Sequence, residues 1–266
     1  MKKKIKMFFY SMLIFCVAMG YYTFSSGYLT SNVPVIADNR GEVELPILMY
    51  HGITNDPSKV GDYTILTSTF ESDLSWLRDN GYTTISANQL IDYVEKRSTL
   101  PAKPVMLTFE NNYTLAFPLL KKYNMKAIIS IIGSESHIHP EVAMSNLIEF
   151  GNHTYNLHSN DGGRKGADKI PGESQENYAK VLTEDLQKNQ ELIKDITGYY
   201  PMVFTWPYGA YPMDGSANQI LKDMGFKMTL TSYQIKNVIE QGNPDALFGL
   251  KRFLRTPGFD ISKIIW

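Results

Sequence analysis

Short apolar runs alternate with amphipathic stretches along most of the chain, a pattern that predicts strands and helices in turn. The predicted strands are 45–50, 83–86, 105–109, 127–132, 147–152, 202–206, 227–231 and 250–254. Strands that are apolar throughout need cover on both faces. This favours a parallel sheet flanked by helices, either doubly wound or closed into a barrel.

The helices are predicted where apolar residues repeat at helical spacing between the strands. One of them opens with a capping box, in which Ser68 caps the first turn and Glu71 reaches back to it, and Gly81 ends it. The strongest helical pattern ends at Gly198. Its apolar stripe consists of Leu182, Leu186, Ile193 and Ile196. Shorter helices are predicted over 87–96 and up to Tyr123.

The amino terminus departs from this alternation. Four lysines within residues 2–6 precede an almost uncharged apolar run over 7–24. A basic start before an apolar segment of this length is typical of a signal peptide or an uncleaved signal anchor. Lysines on the amino side stay in the cytoplasm, so the rest of the chain is predicted to be secreted or to lie on the outer face of the membrane. The predicted organisation is a leader over 1–27, a linker over 28–44 and one domain over 45–266.

Composition and charge narrow the function classes. The 266 residues are 43% hydrophobic and 20% charged, with a formal net charge of -1. These values argue against a disordered or multi-span membrane protein and give no indication of a nucleic-acid partner. The single cysteine, Cys16, lies in the leader behind bulky Ile14 and Phe15, which argues against lipidation. The predicted domain therefore has no disulfide and depends on its core for stability.

Polar residues with potential for chemistry follow several of the predicted strands. In parallel α/β folds the ligand site lies at the carboxyl ends of the strands. Five segments occupy such ends: His51, 110–112, 153–158, 206–209 and 252–255.

Two of these polar residues, His153 and His158, are candidates for a metal site. Their spacing places them on opposite faces of a strand, or about 140° apart on a helix. They can bind one metal only if the strand ends at His153 and the chain curls back. Two separately satisfied histidines are the alternative.

Four motifs occur in the order found in the polysaccharide deacetylase (NodB-homology) family, which the chain resembles over roughly residues 45–260. They are 49–51, 104–110, 153–158 and 206–209. The chain is most similar to the branch that acts on poly-N-acetylglucosamine. The resemblance implies a distorted (β/α) barrel. It also implies a divalent metal, most often zinc, that serves to hydrolyse acetamido groups on sugar polymers or peptidoglycan.

The resemblance also implies roles for individual residues. His153 and His158 would be metal ligands, Glu110 would stand at the general base, and Asn111 would stand where the family has a metal-binding aspartate. The family's Asp-Asp-Gly is replaced here by Glu110, Asn111 and Asn112. Asn111 offers a neutral oxygen in place of an anion, which suits zinc poorly. The longer Glu110 moves its carboxylate by about 1 Å, or reaches the metal itself and leaves no obvious base.

The remaining catalytic groups are incomplete in the same comparison. Family members commonly have a histidine near the end of the domain that protonates the leaving amine, but no histidine follows His158 here. His51 is therefore the remaining candidate for a catalytic role. A structural role at the end of the strand is the alternative. The backbone amide of Tyr208 is implied as the oxyanion donor. The arginine that often precedes this motif is absent. Arg252 or Arg255 could approach the same rim, although we expect each to be solvated at the surface.

Two functions are compatible with these residues. One is a polysaccharide deacetylase that acts on N-acetylglucosamine-containing glycans of the wall or of an exopolysaccharide, with activity impaired by the Glu110 and Asn111 replacements. The other is a catalytically inactive glycan-binding member of the family, and a membrane-tethered wall factor without sugar binding is a weaker third. Aromatic residues that look exposed and could stack on sugar rings are Tyr113, Tyr155, Trp206 and Tyr208, although most aromatics are expected to serve packing.

Overall fold

The computed structural model describes residues 41–265. The predicted leader and most of the predicted linker lie outside these residues. Within the described part, no helix combines the length and the apolar character needed to cross a bilayer.

Twelve strands are present in the described residues. They are β1 (Glu42–Leu45), β2 (Ile47–Tyr50), β3 (Gly52–Thr54), β4 (Thr64–Leu66), β5 (Thr83–Thr84), β6 (Pro104–Glu110), β7 (Ala127–Ile131), β8 (Ile148–Asn152), β9 (Val203–Thr205), β10 (Met228–Leu230), β11 (Asn237–Glu240) and β12 (Phe253–Leu254). The main sheet has the order β10-β9-β8-β7-β6-β2-β12, and β5 adds to β6. All of its pairings are parallel.

The sheet curls, because a bridge between Leu230 and Leu250 brings the segment before β12 against β10. This architecture is the predicted distorted (β/α) barrel, and the fold-class prediction is confirmed. The predicted strand 45–50 is divided at Pro46, which has no N–H to donate to a ladder. Its first part belongs to β1, which begins within the predicted linker and pairs antiparallel with β11.

Seven α-helices cover the described sheet. They are α1 (Thr67–Asp79), α2 (Ala87–Val94), α3 (Phe117–Tyr123), α4 (Pro140–Ala143), α5 (Gln175–Thr197), α6 (Asn218–Asp223) and α7 (Ile261–Ile264). Buried aromatic rings join α1 to the sheet, since Tyr50 of β2 lies edge-on to Phe70 and stacks on Phe109 of β6. The helices thus bury one face of a sheet whose carboxyl ends all open toward one side.

Two helical predictions are wrong in detail. Ser68 lies inside α1, whose N-cap is Leu66 with no side-chain cap bond. A capping box is present instead on α2, between Ser86 and Gln89. Ile196 is 43% exposed, because the buried stripe of α5 ends at Ile193. The predicted stop of α5 at Gly198 is confirmed by its left-handed conformation.

Candidate active site

The site is centred on Glu110, the last residue of β6, whose side chain is 8% exposed. Its Oε2 atom lies 3.2 Å from Nδ1 of His51 and 3.4 Å from Nε2 of His153. Its Oε1 atom accepts a hydrogen bond of 2.6 Å from Nη2 of Arg252. His51 follows β2 and His153 follows β8, so the ends of three strands bring these groups together.

The expectation that Arg255 and Arg252 are solvated at the surface is wrong, because both are buried. Arg252 is fully buried. Its Nε donates to the carbonyl oxygen of Thr231 at 2.6 Å, and Nη1 lies 3.5 Å from Oγ1 of Thr108. Sequence reasoning did not pair Arg252 with Glu110. An arginine within the predicted strand 250–254 was the only signal, and it did not indicate on which side of the strand the guanidinium lies.

Charge and burial act in opposite directions on these groups. Burial by itself would raise the pKa of Glu110, but Arg252 and then His153 hold that pKa well below its usual range. Burial lowers the pKa of His51, against the opposing charge of Glu110. At neutral pH Glu110 is therefore an ionised carboxylate that can accept a proton. A base with so low a pKa gains little driving force from accepting it.

His153 is completely buried with a defined tautomer, because Nδ1 lies 2.8 Å from the carbonyl oxygen of Thr205, which can only accept. Its Nε2 atom has no hydrogen-bond partner. Nε2 lies 3.4 Å from Oε2 of Glu110. A proton at Nε2 would satisfy both atoms. A metal cation that satisfied both would take Glu110 as a ligand, which is the alternative that leaves no obvious base.

His158 lies beside His153, with their ring centroids 4.8 Å apart. The chain curls back between them through Thr154, which has a φ of 70°. Burial lowers the pKa of His158, so that its imidazole is neutral at physiological pH. Two neighbouring imidazoles are suitable ligands for a divalent cation.

Asn111 is held at the tip of β6 in a left-handed conformation with a φ of 58°, which asparagine tolerates. Its backbone N–H donates to the carbonyl oxygen of Ser130 at 3.0 Å. Across residues 41–265, no group of three or more His, Cys, Asp and Glu side chains has an arrangement that could hold a metal. With Asn111 in place of an aspartate, the implied ligand set of His153, His158 and Asn111 is neutral and would hold a divalent cation more weakly than a set with an anion.

The motif around Tyr208 forms the rim beside His158. Tyr208 lies in the short 3-10 turn Pro207–Gly209 and has a left-handed φ of 58°. Its ring centroid is 4.8 Å from that of His158, and its hydroxyl donates to the His158 carbonyl oxygen at 3.2 Å. Gly209 has a φ of 63°, and a Cβ there would lie 1.8 Å from Oγ of Ser232. This position therefore requires glycine.

The four aromatic residues considered for sugar stacking separate by burial. Trp206 and Tyr113 are buried and serve packing. Tyr208 is 42% exposed at the rim. Tyr155 is partly exposed, and the ammonium group of Lys188 lies 3.7 Å from its ring centroid. Tyr208 is thus the aromatic of this set that both borders the site and meets solvent.

Comparisons with known proteins give the same family as the sequence motifs. The polysaccharide deacetylase family model matches residues 97–229. The poly-β-1,6-N-acetyl-D-glucosamine N-deacetylase of Escherichia coli K12 is 25% identical over 224 residues, which cover 69% of this chain and 33% of that protein. This chain therefore spans about a third of the length of that relative.

Two solved structures are similar along most of their length. A de-N-acetylase from Aggregatibacter actinomycetemcomitans has a TM-score of 0.69 and 25% identity, and the match covers 84% of this chain and 98% of that one. IcaB from Ammonifex degensii has a TM-score of 0.67 and 28% identity, with coverage of 80% and 92%. The resemblance to the poly-N-acetylglucosamine branch is thereby confirmed.

Proposed function

Because the chain belongs to the polysaccharide deacetylase family, we propose that it hydrolyses N-acetyl groups on N-acetylglucosamine-containing glycans, at a rate reduced by the Glu110 and Asn111 replacements. The observation that carries the proposal is the convergence of His51 and His153 on the free oxygen of a buried glutamate, at 3.2 and 3.4 Å. The printed name of the Escherichia coli relative supports the choice of substrate.

We propose His153 and His158 as the ligands of a divalent metal, zinc by preference, with Asn111 as a weak third. The unpartnered, buried Nε2 of His153 is the structural feature that supports this assignment. When bound, such a cation polarises the acetamide carbonyl and acidifies the attacking water.

The protein's own groups would divide the proton transfers. Glu110 would take the proton of the attacking water on Oε2, while Arg252 keeps Oε1 occupied and the carboxylate in place. His51, whose Nδ1 lies 3.2 Å from that same oxygen, would pass the proton taken by Glu110 on to the leaving amine, so that both groups return to their starting states. The backbone N–H of Tyr208 would donate to the oxyanion at the rim.

A catalytically inactive, glycan-binding protein is the second candidate. The observation in its favour is the neutral donor set, since Asn111 supplies no charge to retain a cation. Such a protein would keep Tyr208 exposed beside the groove for stacking on a sugar ring.

The proposed location is the outer face of the membrane or the medium. It rests on the basic and apolar leader over residues 1–27, whose span lies outside the described structure. Wall or exopolysaccharide glycans are the substrates that an exported domain would meet.

The experiment compares the wild-type protein with Asn111→Asp. Acetate release from an N-acetylglucosamine oligomer is measured with added zinc or cobalt, and zinc affinity is measured by competition with a chelator. We expect little acetate from the wild type, and at least about 10 to 100-fold tighter metal binding with faster release from the variant. Asn112→Asp introduces the same charge one residue away at an exposed position, so it is the matched control.

Three results would be decisive. Wild-type turnover equal to that of Asn111→Asp would reject the proposal that Asn111 lowers the rate of acetate release. Unchanged zinc affinity in the variant rejects the metal role of Asn111. Oligomer binding without acetate release in both proteins, measured with metal present, favours the glycan-binding candidate.

A further inference from the structure

The segment 153–158, called here the histidine turn, connects the two candidate ligands through an unusual backbone. Thr154 is fully buried and has a φ of 70°, a conformation that β-branched residues rarely adopt. Such a conformation persists only where surrounding contacts over-determine it. Those contacts identify what sets the relative position of His153 and His158.

Asn189 of α5 supplies one set of contacts from a fully buried position. Its Nδ2 atom lies 2.7 Å from the carbonyl oxygen of Ile131, 2.9 Å from Oδ1 of Asn152 and 2.9 Å from the carbonyl oxygen of Thr154. All three partners are acceptors, so only a donor fits at this point. The backbone N–H of Gly133 donates to the same Thr154 carbonyl at 3.0 Å.

Asp185 supplies the second set from one helical turn earlier on α5. Its Oδ1 accepts the backbone N–H of Tyr155 at 2.7 Å, and its Oδ2 accepts that of Asn156 at 2.8 Å. Positions i and i+4 lie on the same face of a helix, so Asp185 and Asn189 meet the turn together. One face of α5 thus binds three consecutive residues immediately after His153.

We infer that Asp185 and Asn189 are positioning residues that preset the distance between the two imidazoles before any metal binds. The inference rests on the proposed function in taking His153 and His158 as metal ligands. None of the hydrogen bonds described above for these two side chains goes to His153 or His158. Their bonds end on Thr154, Tyr155 and Asn156, the residues that reverse the chain between the histidines.

The test uses the full chain and two variants. Asn189→Leu removes the donors at nearly constant volume, and Asp185→Asn replaces one of the two acceptor oxygens with a donor. The matched controls lie on the same helix. Gln190→Leu removes a buried amide that bonds the Met224 carbonyl instead, and Glu184→Gln removes the exposed charge next to Asp185. Thermal unfolding of every protein identifies those that are folded at the assay temperature.

Zinc affinity, measured by chelator competition, is the first readout. We expect Asn189→Leu and Asp185→Asn to bind zinc about 10 to 100-fold more weakly than the wild type, the range for residues that orient metal ligands. The two controls should remain within about twofold. Affinities unchanged in both folded variants would overturn the inference.

Amide hydrogen exchange in the metal-free protein is the second readout, and it is independent of metal binding. The Gly133 N–H should exchange about tenfold faster in Asn189→Leu than in Gln190→Leu, since its acceptor on Thr154 loses its second support. Equal exchange in the two proteins would overturn the inference even if Asn189→Leu binds zinc poorly. A wild type that binds no zinc, together with faster Gly133 exchange, would refute the proposed metal role and leave the positioning role standing.

Discussion

Two buried arginines flank β12, and each pairs with a carboxylate in a different way. Arg255 binds Asp73 through two nitrogens, at 2.7 Å to Oδ2 and 3.0 Å to Oδ1, and the hydroxyl of Tyr50 adds a bond of 3.3 Å. Arg252 contacts Glu110 at one carboxylate oxygen, Oε1, and not at the other. The other oxygen of Glu110 is left facing two imidazoles.

The difference separates a structural ion pair from a reactive one. Asp73 has both oxygens occupied and ties α1 to β2 and to the chain after β12. Burial raises the pKa of Asp73 even beside Arg255. The pKa of Glu110 is instead held low, in spite of burial, by Arg252 and the neighbouring histidines. A carboxylate held at one oxygen keeps the second available for proton transfer, and one held at both does not.

The largest effect is expected at Glu110. In the Asn111→Asp background, Glu110→Gln should lower kcat/KM for acetate release by about 10²–10⁴-fold, because the proposed general base is lost. Asp73→Asn makes the same chemical change in the ion pair between Asp73 and Arg255. It should leave kcat/KM within a few-fold at a temperature where the protein is folded. A comparable loss in both variants would show that Glu110 acts through stability alone.

A smaller effect, on the free energy of unfolding, is expected at the Asp73–Arg255 ion pair. Arg255→Met leaves the Asp73 charge buried without its partner and should lower the free energy of unfolding by about 3–5 kcal/mol. The double variant Asp73→Leu with Arg255→Met removes both charges and should recover most of that loss. Urea denaturation measures both values, and a double variant as unstable as the single one would contradict this account.

The smallest effect is expected at Thr108, which supports Arg252 from the side. Its hydroxyl donates to the Leu48 carbonyl oxygen at 2.8 Å and lies 3.5 Å from Nη1 of Arg252. Thr108→Val should cost about 1 kcal/mol of stability. It should reduce kcat/KM by less than tenfold, since Nε and Nη2 keep their partners. A loss as large as that of Glu110→Gln would mean that the orientation of Arg252 depends on this hydroxyl.

Local patterns predicted well where local physics decides. The apolar run 127–132 contains β7, whose residues are all buried. Gly198 ends α5 because glycine readily adopts the left-handed conformation. The cap at Ser68 was wrong because the helix starts earlier, at Thr67, and its first turn has no side-chain cap. Ile196 follows the helical period but lies beyond Ile193, the last buried residue of α5.

By itself, the sequence determined the alternation of strands and helices, the family, and the set of polar residues at the strand ends. Only the tertiary structure decided which of them meet. Arg252 reaches Glu110 across 142 positions because β2 alone separates β12 from β6 in the sheet. Likewise, Asp185 and Asn189 read as ordinary polar positions of an amphipathic helix until the packing of α5 places them against the histidine turn. Periodicity reports which face of an element is buried, whereas the partner of a buried polar atom depends on strand order and register, which no local pattern contains.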